Sequence, residues 1–167
     1  MTIQYSKKEI GELLDGKLPF SKTHQMLSNF KDPDRFDQYM EILADRVPWD
    51  DPILLPYGLH LYIVAKPGGQ QVVKCDCGHE FGSYKENWKL GASISVKNTD
   101  DKLEEIYPEM MHCCPELMEL REYFCPSCFT LLEVEAVPPG YPVVFDFLPD
   151  LETFYREWLN RELPSSN

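Results

Sequence analysis

The chain has 167 residues, 43% hydrophobic and 13% aromatic, a length that fits one domain burying ~70% of its unfolded surface. Its formal charge of −12, with 28 acidic residues against 16 scattered basic ones, argues against nucleic-acid binding, which draws on phosphate neutralisation by Lys and Arg. No apolar run approaches the ~20 residues that span a bilayer, and Met1-Thr2-Ile3-Gln4-Tyr5 lacks the apolar core of a secretory signal, so the expected setting is the cytoplasm, off the membrane.

Residues 1–48 read as an N-terminal helical region. Ser6 followed by Glu9 is a capping-box pattern, and Ile10, Leu13 and Leu14 give one apolar face to a helix ending near Asp15-Gly16. Ser21 is placed to cap a short segment containing His24, Met26 and Leu27, with His24 read as a packed or surface histidine. Asp32-Pro33 predicts the start of a third helix, with Asp32 as cap and Phe36, Tyr39, Met40, Leu43 and Val47 at helical spacing before Pro48. Such a stripe reports burial, in a core or against a subunit, and nothing about chemistry. The region is too small for a core of its own size and is expected to pack on the rest of the chain or on a partner.

From residue 49 to 137 the pattern turns to strands. Ile53-Leu54-Leu55 is one, and a hairpin follows, Leu59 to Val64 and Gln71 to Lys74, around the turn Lys66-Pro67-Gly68-Gly69-Gln70. It leads into Cys75-Asp76-Cys77-Gly78-His79. Ala92 to Val96 alternates as an antiparallel strand with one wet face, Thr99 is placed to cap a short acidic helix, and residues 108–116, with Cys113 and Cys114, read as an ordered loop holding free thiols. Leu117 to Phe124 enters Cys125-Pro126-Ser127-Cys128, and Leu132, Val134 and Ala136 return from it: strand, knuckle, strand. In residues 138–167, Pro138-Pro139-Gly140-Tyr141-Pro142 makes a connector. Val143-Val144-Phe145 then forms an edge strand or packs, and Asp150 caps a helix with the stripe Leu151, Phe154, Tyr155, Trp158 and Leu159 before the frayed tail Pro164-Ser165-Ser166-Asn167. The fold class is α+β, a zinc-ribbon-like antiparallel β core with N-terminal helices and a C-terminal helix.

In a reducing compartment, six cysteines grouped as pairs suggest metal ligands over disulfides. The predicted site is one zinc held by Cys75, Cys77, Cys125 and Cys128, two thiolates from each turn. The Cys-x-Cys turn is tight, but Gly78 gives it backbone freedom, and His79 is the spare ligand should Cys77 point away. Buried free thiols and an iron-sulfur cage of the rubredoxin kind are the alternatives, since thiolates alone do not select the metal. Four thiolates close the shell, so the zinc is expected to be structural, not catalytic. No nucleophile motif, phosphate loop or acid-base dyad accompanies it.

His24-Gln25-Met26-Leu27-Ser28, Pro48-Trp49-Asp50-Asp51, Cys75-Asp76-Cys77-Gly78-His79, Asn87-Trp88-Lys89-Leu90, Arg121-Glu122-Tyr123-Phe124-Cys125-Pro126 and Glu157-Trp158-Leu159, in this order and spacing, resemble the small gamma subunit of acetone carboxylase. Phe129 departs from the pattern, where glycine is expected after the second knuckle, and Cys113-Cys114 falls outside it. The resemblance implies an ATP-dependent complex that converts acetone and bicarbonate to acetoacetate. It further implies a hetero-oligomer in which large alpha and beta subunits do the chemistry, with Mn2+ in a large subunit, and a zinc-binding small subunit without catalytic residues. A stand-alone zinc-ribbon adaptor and an iron redox protein are the competing classes.

Overall fold

The computed structural model describes residues 4–29 and 32–164. Among the described residues, five α-helical segments, a 3-10 turn, a π turn and seven strands build an α+β arrangement with two antiparallel sheets. The expected frayed tail falls at 165–167, outside the described residues.

Helix α1 (Lys7–Leu14) starts at the predicted capping box: the Glu9 amide donates to Ser6 Oγ and the Ser6 amide to the Glu9 carboxylate. Helix α2 (Phe20–Ser28) begins before the expected cap, with Pro19 at its N-cap and Ser21 inside the first turn, because proline sets the entry angle without a hydroxyl. Helix α3 (Arg35–Ala44) also departs from expectation. Asp34 is its N-cap, and Asp32 instead accepts from Arg35 Nε at 2.6 Å and faces the Tyr5 amide at 3.5 Å. A tertiary ion pair has taken the carboxylate that local pattern assigned to a helix end. Tyr5, Ile10, Leu18, Met26 and Ile42 form a small core among these helices.

Strands β1 (Ile53–Pro56), β2 (Leu61–Ala65), β3 (Gln71–Cys75) and β4 (Glu80–Ser83) form a meander in that order. Every residue of β2 is buried, because its two faces meet different neighbours. Tyr62 and Val64, with Val72 of β3, pack on Leu43 of α3. Leu61, Ile63 and Ala65, with Val73 and Cys75 of β3, turn to the opposite side. There they meet the second sheet, β5 (Ser93–Lys97), β6 (Glu119–Phe124) and β7 (Leu131–Val137), through Tyr123, Cys125 and Leu132. One core therefore joins the sheets, with Trp88 at the seam, edge-on to Phe81 at 5.7 Å and to Tyr123 at 6.1 Å.

A short helix, α4 (Asp100–Glu104), anchors through buried Leu103 the loop leading to β6. Thr99 occupies its N-cap position without a side-chain cap. Residues 143–145 form no strand and lie against the core through Val143. The last helix, α5 (Leu151–Thr153), is capped by Asp150 and runs into a π turn over Phe154–Trp158. Leu151 enters the shared core, Tyr155 Oη donates to the Leu54 carbonyl at 2.8 Å, and Phe154 meets Phe36 of α3 at 5.2 Å. The C-terminus thus ties helices to sheet.

Candidate metal centre

The two cysteine turns lie at the ends of strands in different sheets. The first closes β3 to β4: the Cys75 amide donates to the His79 carbonyl and the Gly78 amide to the Cys75 carbonyl, both at 2.8 Å. Gly78 sits at φ +97, and a Cβ built there lies 3.4 Å from Trp49 Cδ1, so conformation and space both favour glycine. The Trp49 indole N–H is shared between the Cys75 and Asp76 carbonyls at 3.2 and 3.1 Å, and His60 Nδ1 lies 2.6 Å from the Asp76 carboxylate. These groups hold the turn through its Cys75 and Asp76 carbonyls and the Asp76 carboxylate.

The second turn joins β6 to β7. The Phe129 amide donates to the Cys125 carbonyl and the Cys125 amide to the Thr130 carbonyl, both at 2.9 Å. Phe129 has φ +58, the left-handed conformation that glycine adopts freely. The sequence departure at this position is thus a side chain carried in a glycine-like backbone, with its ring exposed and unburdened by packing.

Packing of the sheets brings the four sulfurs together. Cys75 Sγ lies 3.8 Å from Cys128 Sγ and Cys77 Sγ 3.7 Å from Cys125 Sγ, and all four fall within 4.8 Å of one another. Each close pair takes one cysteine from each turn. Tetrahedral zinc with bonds of ~2.3 Å sets its sulfurs ~3.8 Å apart, so the separations and the thiolate donors fit that ion. They are too long for a disulfide, and all six cysteines are free. His79 does not join the group. Its Nδ1 lies 2.9 Å from Ser127 Oγ and its ring packs edge-on to Phe81 at 4.9 Å, so it bridges the two turns from outside.

Burial pushes the Cys75 and Cys77 thiols up, while the Thr130 hydroxyl, 3.2 Å from Cys128 Sγ, brings that thiol down to about 6. Amides of Cys77, His79 and Thr130 also act on Cys75, Cys77 and Cys128 respectively, each favouring thiolate. Four thiolates here need a cation, because like charges within a few ångströms, two of them on buried Cys75 and Cys125, are strongly unfavourable.

Cys113 and Cys114 stand apart from this cluster, and Cys113 Sγ reaches the Met118 carbonyl at 3.6 Å. A second group went unread in the sequence. Lys89, fully buried in the 3-10 turn Trp88–Gly91, donates to Glu133 at 2.6 Å, to Glu135 and to Asp146 at 3.0 Å, and Tyr123 Oη donates to Glu135 at 2.7 Å. The only local signal was the alternation of Glu133 and Glu135 on one face of β7.

Two antiparallel sheets joined at a four-cysteine cluster define a small α+β protein of zinc-ribbon-like construction. A family model described as acetone carboxylase gamma subunit matches residues 47–159. The acetone carboxylase gamma subunit of Xanthobacter autotrophicus (strain ATCC BAA-1158 / Py2) is 51% identical over 161 residues, covering 96% of each chain. More distantly, the acetophenone carboxylase beta subunit of Aromatoleum aromaticum (strain DSM 19018 / LMG 30748 / EbN1) is 25% identical over 80 residues, 47% of this chain and 62% of that one. The chain belongs to the acetone carboxylase gamma subunit family.

Proposed function

We propose that the chain is the small zinc-binding structural subunit of an ATP-dependent acetone carboxylase, a cytoplasmic hetero-oligomer that converts acetone and bicarbonate to acetoacetate. Catalysis, with ATP and Mn2+, belongs to the large alpha and beta subunits. The observation that carries the zinc role is the sulfur cluster, whose inter-turn separations of 3.7 and 3.8 Å match the edge of a tetrahedral site. Cys75, Cys77, Cys125 and Cys128 would hold the ion. Bound there, it would neutralise part of the thiolate charge and cross-link the sheets, with no coordination position left for water.

The subunit role is supported by family membership and by the 51% identical relative, whose name makes it part of a carboxylase. The chemistry on the chain agrees: the cysteine cluster is closed, and the ammonium of Lys89 is already engaged by three carboxylates. Native purification followed by intact-complex mass spectrometry and metal analysis tests the reading. The expected result is one zinc per chain and co-elution with two larger polypeptides. Stoichiometric iron, or a stable chain that never associates with larger ones, would overturn it.

A further inference from the structure

From the loop between α4 and β6, residues 105–118, we infer a docking surface for a large subunit of the complex, one that presents an apolar hollow bordered by Lys and Arg. The inference rests on the subunit reading above. Met110, Met111 and Leu117 are 90%, 72% and 73% exposed, and Ile106 and Tyr107 add further exposed apolar surface. Flexible, polarizable methionines suit contact surfaces, and a concentration of apolar side chains on one surface loop marks such a site more often than scattered ones do.

The loop holds these side chains on a defined frame. Leu103 is fully buried beneath it. Backbone bonds from Met111 to Pro108, and from Leu117 and Met118 to Cys114, turn the chain at both ends. His112 is tucked inward, its Nδ1–H donating to the Cys113 carbonyl at 2.9 Å and its Nε2 lying 3.8 and 3.9 Å from Asp100 and Glu104. Nothing in the described residues covers Met110 or Met111.

Charge chooses the occupant. Between residues 100 and 118 there are six carboxylates, Asp100, Asp101, Glu104, Glu105, Glu109 and Glu116, and one basic residue, Lys102. A second copy of this chain would set acid against acid across the contact, and a nucleic acid or anionic membrane would be repelled. A protein surface with an apolar centre and a basic rim is complementary in both respects.

The test uses the full chain co-expressed with the large subunits. Met110→Asp/Met111→Asp introduces charge at the centre, and Asp tolerates the left-handed backbone that Met110 adopts at φ +62. Glu109→Lys/Glu116→Lys reverses the rim. Each variant is expected to keep its metal content and melting temperature while the dissociation constant of the complex rises about tenfold or more. Association of the unmodified chain is expected to weaken as salt rises from about 0.05 to about 0.5 M. If both variants assemble with unchanged affinity while the unmodified chain assembles too, the docking assignment is wrong and the subunit reading stands. If the unmodified chain never binds the large subunits, both fall.

Discussion

Phe129 separates what a residue contributes as a side chain from what it contributes as backbone. Its ring is exposed, and its left-handed φ carries a cost of about 1–2 kcal/mol that glycine avoids. Phe129→Gly is therefore expected to keep full metal content and to leave the melting temperature unchanged or slightly raised, since glycine's greater freedom in the unfolded chain offsets part of the gain. A loss of metal on this substitution would mean that the ring shields the cluster. At the centre itself, Cys77→Ser and His79→Gln discriminate between ligand sets. The first is expected to abolish stoichiometric metal, whereas the second leaves it in place, because His79 is already engaged by Ser127. Lys89→Met would strand three carboxylates around an apolar side chain. Because Asp146 is half exposed and rehydrates, the expected loss is about 2–4 kcal/mol in denaturant unfolding with metal present. Lys89 itself lies above its usual pKa: burial lowers it, and Glu133, Glu135 and Asp146 more than offset that.

Among the elements, those with a local cause were readable. The Ser6/Glu9 capping box, the β2–β3 hairpin around Gly68-Gly69 and the Asp150 cap each put their signal in neighbouring residues. Strand β4 has only four residues with a glycine inside, and nothing but its pairing with β3 defines it. Asp32 was misread as a cap because its partners include Tyr5, 27 positions away. The Lys89 cage was invisible for the same reason: its carboxylates lie 44 to 57 residues further on. The cysteine cluster was legible because metal ligation leaves a spacing signature, yet its inter-turn pairing needed the packing of the two sheets.

The first helix also has its own pH response. Hydrogen bonding from Lys22, then from the Ser6 amide and hydroxyl, holds the Glu9 carboxyl at about 2 instead of 4.5. A depressed folded-state pKa contributes stability above the unfolded value and loses it as pH falls, so the capping contribution should fade between about 4.5 and about 2. Amide chemical shifts along α1 would follow this change, and Glu9→Gln should remove that window. An identical pH profile in the variant would rule out Glu9 as its source.

For the molecule as a whole, the metal is expected to hold the two sheets together. Structural zinc contributes ~10–16 kcal/mol in small zinc-finger peptides, comparable with the ~5–15 kcal/mol that stabilises an ordinary domain. Chelation should therefore unfold at least the region around the cluster. Hydrogen exchange is expected to show protection lost first at the ends of β3, β6 and β7. Helix α3 and the face of β2 against it, held by Leu43, Tyr62 and Val64, should outlast them. Protection lost uniformly across the chain would show instead that the helical region and the sheets form one cooperative unit.

The exchange of sulfurs between turns, Cys75 opposite Cys128 and Cys77 opposite Cys125, reaches into biosynthesis. Neither turn alone offers more than two thiolates. A nascent chain on the ribosome thus carries two of the four ligands until Cys125 has emerged and three until Cys128 has, and a fragment ending anywhere before Cys128 never gains the fourth. With the proposed metal bound, its stable retention would mark chains that have been completed through the second turn and folded, so only those would reach assembly with the metal in place.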